Sequence, residues 1–277
     1  MFLLKLLAGS SDSDFEQPEK KQKTALKVVA TNVEPIRSTL FKEFDKKKRI
    51  RIRNSPKNLA EFMQVLSDEQ KAEVDNMGFE SMKNFDITKI PTDLGYWLTN
   101  NYEPTINTLN LGTHNVVITP NLVQEVLGIP MGKVKVKELS KPKMSDPVVA
   151  EFRNQFEIDD ELPKMHHIIH VVKEQKESGR LFQLNFLVMF NSIMAELTHG
   201  GNVNMKFLTT LQPDVDIKDV DWCSYVIDCL NRKTTSWFQS KAAHYIGPIT
   251  FLVVCCSYLK MIYIYCFLSN IITKTNL

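Results

Sequence analysis

The sequence predicts a mainly α-helical single domain with one small β-hairpin and a disordered basic N-terminal arm. Three observations carry this. Apolar residues recur at helical spacing in most segments, as in Met165, Ile168, Ile169 and Val172. One stretch, from Leu109 to Ile118, alternates, turns and returns instead. Charge is split along the chain. Residues 1–58 carry 14 Lys/Arg and 7 Asp/Glu, a net of +7, and the remaining 20 and 25 give −5. With 277 residues and 43% hydrophobic content, the chain can bury one sizeable core. We divide it into a basic arm (1–54), a helical domain (55–268) and a short tail (269–277).

In the arm, an acidic Ser/Asp stretch at Ser10 to Asp14 gives way to basic runs. The densest comprises Lys46, Lys47, Lys48, Arg49, Arg51 and Arg53. Such a run suits nuclear import, contact with a phosphate backbone, attraction to anionic lipid, or a merely solvated linker. No aromatic lies inside it, so it offers no stacking platform for bases. The opening MFLLKLLAGS has too short an apolar run, and no basic start, for a signal peptide.

Asn58 to Asn76 reads as one amphipathic helix with Leu59, Phe62, Met63, Val65 and Leu66 on a face. Ile87 to Asn101 reads as a second, with Pro91 near its start. Leu109 and Leu111 alternate with polar residues, Gly112 to Asn115 turn, and Val116 to Ile118 return. Thr119 is a cap, Pro120 the first helical residue, and Gly128 and Pro130 the stop. Lys133 to Pro147 reads as a long exposed loop. Helices are predicted over Pro163 to Glu177, Arg180 to His199 (apolar on most sides, hence central) and Val220 to Leu230. Lys241 to Leu268 holds a last apolar run. All five cysteines lie in the last quarter among apolar residues, as reduced, buried thiols do.

The order of these blocks resembles the plant mobile domain, labelled aminotransferase-like and found in plant transposon-derived proteins. It also resembles the related helical region preceding SUMO-protease-like domains in such elements. Met77-Gly78-Phe79, Ile90-Pro91, Trp97-Leu98 and Asn101-Tyr102-Glu103-Pro104 look like the family's opening helix and turn. Val126 to Pro130 looks like its Val-Leu-Gly-Ile/Leu-Pro close, Phe186 to Leu197 like its central helix, and Asp221-Trp222 with Val226 like its Trp-bearing helix. Gly247-Pro248 and the apolar run after it look like the closing helix. Two departures stand out. Met131-Gly132 occupies the place of a Gly-Gly pair, and after Tyr258 an apolar tail replaces a charged segment. That tail is expected to be read-through or a truncated element copy. The resemblance implies a non-enzymatic role in the nucleus, with other proteins, chromatin-associated ones included, as partners.

Chemistry-bearing residues are few. His166, His170 and Glu174, each four apart, line one helix stripe and form a weak candidate metal site. One helix cannot surround a tetrahedral ion, and the stripe lies opposite the apolar face. Glu196-x-x-His199 is half of a di-iron pattern whose other ligands are missing from the sequence. Aminotransferase chemistry would need a phosphate cup and a Schiff-base lysine, and the sequence has context for neither. No cofactor is expected. Ile246 to Ile272, with Lys260 its only charge, is long enough to span a bilayer. The predicted function is therefore a non-enzymatic, transposon-derived nuclear interaction module. A tail-anchored membrane protein through Ile246–Ile272 and a nucleic-acid-binding factor using Lys46 to Arg53 are the alternatives.

Overall fold

The computed structural model describes residues 50–259 apart from 53, 54, 113, 138, 140, 157, 159, 160, 199–201 and 241–243. The arm up to Arg49 and the tail from Lys260 therefore lie outside the described residues. So do His199 and Cys266.

Nine α-helices and two small sheets occur among the described residues, around one continuous core. The mainly helical class with a small antiparallel sheet is as the sequence predicts. Strand β1 (Arg51–Ile52) comes first, then α1 (Lys57–Val65) and α2 (Asp68–Asn76). These two replace the single helix predicted over Asn58 to Asn76. Ser67 breaks the run: its hydroxyl accepts from the Gln70 N–H and the Gln70 side chain accepts from the Ser67 N–H, a capping box that starts α2. Helix α3 (Thr92–Asn100) begins after Pro91 rather than at Ile87, because Pro91 itself is extended.

The predicted hairpin is a three-stranded antiparallel sheet in the order β2 (Tyr102–Glu103), β3 (Thr108–Asn110), β4 (Asn115–Val117). Asn107 turns β2 into β3 at φ 51, a conformation asparagine tolerates better than most residues. Helix α4 (Pro120–Leu127) follows the predicted grammar. Thr119 accepts from the Leu122 N–H, Pro120 takes the first helical position, and Gly128 ends the helix at φ 60.

Residues 131–137 are not a free loop. Met131 bridges Asp221, and Val134 bridges Val220. Pro147 does not end a loop either. Asp146 accepts from the Val148 and Val149 N–H groups and Pro147 opens α5 (Pro147–Asn154). Helix α6 (Met165–Glu174) packs on α1, and α7 (Arg180–Met194) is central as predicted, buried along most of its length. It stops at Met194, short of His199, because Ala195 leaves the helical ladder. Helix α8 (Trp222–Gln239), capped by Asp221, runs nine residues beyond the predicted end at Leu230. Strand β5 (His244–Tyr245) pairs in parallel with β1, and residues 249–259 form α9.

Phe79 is the keystone of the core. Its ring meets Phe186 at 5.2 Å and Phe190 at 5.0 Å on α7, and Trp222 at 6.2 Å on α8, all edge-on. The body also extends further upstream than the predicted boundary at residue 55. Ile50 is 2% exposed and its N–H donates to the Thr92 carbonyl, so apolar burial draws the end of the basic run into the fold.

Candidate interaction surface

The residues nominated from sequence do not converge. His166, His170 and Glu174 are exposed on α6, as their stripe implies. Among the described residues, no group of three His, Cys, Asp or Glu side chains could hold a metal ion. His167, between them, is a helix-start acceptor: its Nδ1 takes the Lys164 N–H at 3.3 Å. Of the basic run, only Arg51 is described. It is exposed on β1, while Lys46, Lys47, Lys48, Arg49 and Arg53 lie outside the described residues.

Glu196 has a different role from the one its spacing to His199 suggests. It is fully buried and accepts from Lys206 at 2.8 Å, Arg232 at 2.6 Å and Lys233 at 2.7 Å. Burial alone would push its carboxyl up. The hydrogen bonds from Lys206, Lys233 and Arg232 outweigh it and hold the group at about 2. This hub ties the segment after α7 to α8, so it is structural. Sequence gave no signal for it, since its cations come from distant positions.

Two of the buried thiols are poor nucleophiles. Burial pushes Cys223 and Cys255 up to about 12, so both stay protonated at neutral pH. Cys256 beside them is also buried, as are Ile249 and residues 251–254. The described half of the Ile246–Ile272 run is thus core. Among the described residues no helix is long and apolar enough to cross a membrane.

A cleft of about 430 Å³ lies between α2, α5, α7 and the turn at residues 213–217. Its polar wall is tied to itself. Gln183 donates to Glu73 at 2.7 Å, while Arg180 donates to the Leu211 carbonyl and sits 4.0 Å from the Glu151 carboxylate. The lining holds no serine, cysteine or histidine. Such a wall can bind polar groups through its carboxylates, amides and guanidinium.

The least committed surface is the edge of the sheet. The Leu111 N–H donates to His114 and the Ile118 N–H to Asn107, at 3.0 and 2.7 Å. Between those pairs, Leu109 and Val116 form the inner hydrogen-bonded pair. Antiparallel alternation then turns the N–H and C=O groups of Asn115 and Val117 outward. No described strand lies on that side of β4. The side chain of Val117 is 55% exposed, and Ile106, in the turn leading into β3, is 62% exposed. Free backbone groups beside exposed apolar side chains are what an added strand requires.

No curated protein and no solved structure matches the chain. A family model described as a domain of unknown function, DUF8566, matches residues 52–253, from β1 into α9. That is well over half of the chain, which therefore belongs to the DUF8566 family.

Proposed function

We propose that the chain is a non-enzymatic protein-interaction module of a transposon-derived protein that acts in the nucleus. The observation that carries the interaction role is the outward edge of β4, with Val117 exposed on that strand and Ile106 exposed in the turn before β3. A partner segment in extended conformation gains backbone hydrogen bonds there and covers both side chains. The non-enzymatic part is supported by the Cys223 and Cys255 thiols being held protonated and by a cleft lined by no serine, cysteine or histidine. The transposon and nuclear parts are supported by the ordered blocks from Met77 to Pro248 and by the basic run ending at Arg53. Chromatin-associated proteins are the partner class this reading favours.

The test uses the full tagged chain expressed in plant nuclei, beside an I106E/V117E variant. Both substituted positions are exposed, so the variant should keep its melting temperature. The wild-type chain should recover a reproducible partner set that the variant loses. Recovery of the same set by both proteins would overturn the assignment to the β4 edge. No partner above a tag-only control would overturn the interaction role itself.

A further inference from the structure

The body carries a second basic feature, separate from the arm. Between Lys133 and Lys143 the sequence holds five lysines and one acidic residue, Glu138. Its first part is fixed in place. Gly132 donates to Val220 O at 3.2 Å, Val134 donates to Asp219 O at 2.7 Å, and Asp221 donates back to Val134 O at 2.8 Å. The Lys137 N–H then donates to Thr210 Oγ1 at 2.8 Å. The chain bends at Lys133, between an antiparallel and a parallel bridge, and exposure alternates from Gly132 to Lys137. Gly132, Val134 and Val136 are half-buried, and Lys133, Lys135 and Lys137 are exposed.

Gly132 permits the close approach that pins this segment. A Cβ there would sit 2.0 Å from the Asp219 carbonyl oxygen, so the two backbones lie closer than any other residue would allow. Among the described residues, none of the three lysines makes an ion pair. Asp228 is the nearby carboxylate that senses Lys135: burial pushes its carboxyl up, and Arg232 and Lys135 pull it back.

We infer that Lys133, Lys135 and Lys137 form a phosphate-contact edge that binds nucleic acid through its backbone. Alternating exposure puts Lys133, Lys135 and Lys137 on the solvent side of this short segment. Three ammonium groups so placed, with no ion pair among the described residues, can neutralise neighbouring phosphates and release their counterions. The row contains no aromatic residue, so it has no platform for base stacking, and binding is independent of sequence. An anionic membrane fits less well. Val134 and Val136 are turned toward the body, which leaves the segment no apolar side to insert into lipid. This inference stands apart from the β4 interaction surface, and each has its own variants.

The experiment measures fluorescence anisotropy of a labelled oligonucleotide of about twenty nucleotides, single-stranded and duplex, titrated with the full chain at several salt concentrations. The comparison is a K133Q/K135Q/K137Q variant. Its affinity should fall about tenfold or more near 0.1 M salt. The slope of log Kobs against log salt should flatten by about 2 to 3, as losing three phosphate contacts requires. K133R/K135R/K137R should bind like wild type, since it keeps the charge. K135E alone should weaken binding, which protects the test if the triple variant folds poorly.

Three results would overturn the inference. One is wild-type affinity and slope in the triple glutamine variant, with all binding lost when Lys46, Lys47, Lys48 and Arg49 are neutralised. Another is binding to phosphatidylserine–phosphatidylcholine vesicles without binding to either oligonucleotide. The third is unchanged oligonucleotide binding with self-association of the triple variant, which would mark the lysines as guards of an exposed edge.

Discussion

At the scale of single residues, Glu196 decides the most. A carboxylate fully removed from solvent is costly unless it is paired, and three cations from two segments pair this one. Removing the charge strands those cations. We expect E196Q to cost about 3 kcal/mol or more, read as a fall in urea midpoint at neutral pH. The pH dependence follows from the direction of the shift. The folded carboxyl lies at about 2 against an ordinary 4.5, so the unfolded chain takes up its proton first on acidification. The stabilisation is full above about pH 4.5 and is lost as pH falls toward 2. E196Q should lack that part of the acid-induced loss. A variant whose stability falls as steeply as wild type across this range would remove Glu196 from the account. None of this could be read from the sequence. Glu196-x-x-His199 looks like a metal pattern locally, and only the tertiary fold brings Lys206, Arg232 and Lys233 to it. Gly132 teaches a related lesson. It stands at the position where the Asp219 backbone leaves no room for a Cβ, a contact that no local pattern announces.

At the scale of elements, what was legible depended on whether local chemistry or tertiary packing set the boundary. Thr119-Pro120 and Gly128 define α4 through their own caps, so its span could be read directly. Asp146-Pro147 has the same grammar and opens α5, yet the lysines and prolines before it make the region look like continuous loop. Ser67 and Gln70 are a readable capping box, obscured because apolar residues continue at helical spacing through Leu66. Strands β1, β2 and β5 have only two residues each, too few for any periodicity to show. The outward edge of β4 is not legible in the sequence for another reason. Which strand lies at an edge is a property of the sheet, not of Asn115–Val117. Gln70 provides the element-scale prediction. Its Oε1 accepts from the Ser67 N–H, while its Nε2 donates to the Gln175 carbonyl at 2.7 Å and ties α2 to the segment after α6. S67A removes the cap hydroxyl alone and should cost about 1 kcal/mol. Q70E keeps an acceptor for Ser67 but turns a fully buried carboxylate against the carbonyls of Val172 and Gln175. It should cost about 3 kcal/mol or more by chemical denaturation. If Q70E were no worse than S67A, Gln70 would be only a cap.

At the scale of the whole molecule, the first and last segments of the described residues close on each other. Ile50 is 2% exposed, and the space where Gly95 would carry a Cβ is bounded at 3.3 Å by both Ile50 and Ile249. Arg51 and Ile52 then pair in parallel with His244 and Tyr245. Tyr245 is itself anchored, its hydroxyl 3.0 Å from that of Thr234 on α8. Residues close to two hundred positions apart therefore share one seam, and that seam leads straight into α9. A domain cut at residue 55, as charge composition alone suggests, would lose β1 and Ile50 together. A chain beginning at residue 50 should keep the unfolding midpoint of the full-length protein. One beginning at residue 55 should lose about 2 kcal/mol or more, since burying one isoleucine side chain contributes about 1.5–3 kcal/mol and the β1–β5 pairing goes with it. Urea denaturation of the three proteins checks this, with equal m-values required for the comparison. The shorter chain should also expose β5 and the start of α9 to amide exchange before the rest of the core. Equal midpoints for chains starting at 50 and 55 would mean that α9 is held by α3 and α8 without β1, and that the end of the basic run is a passenger on the fold.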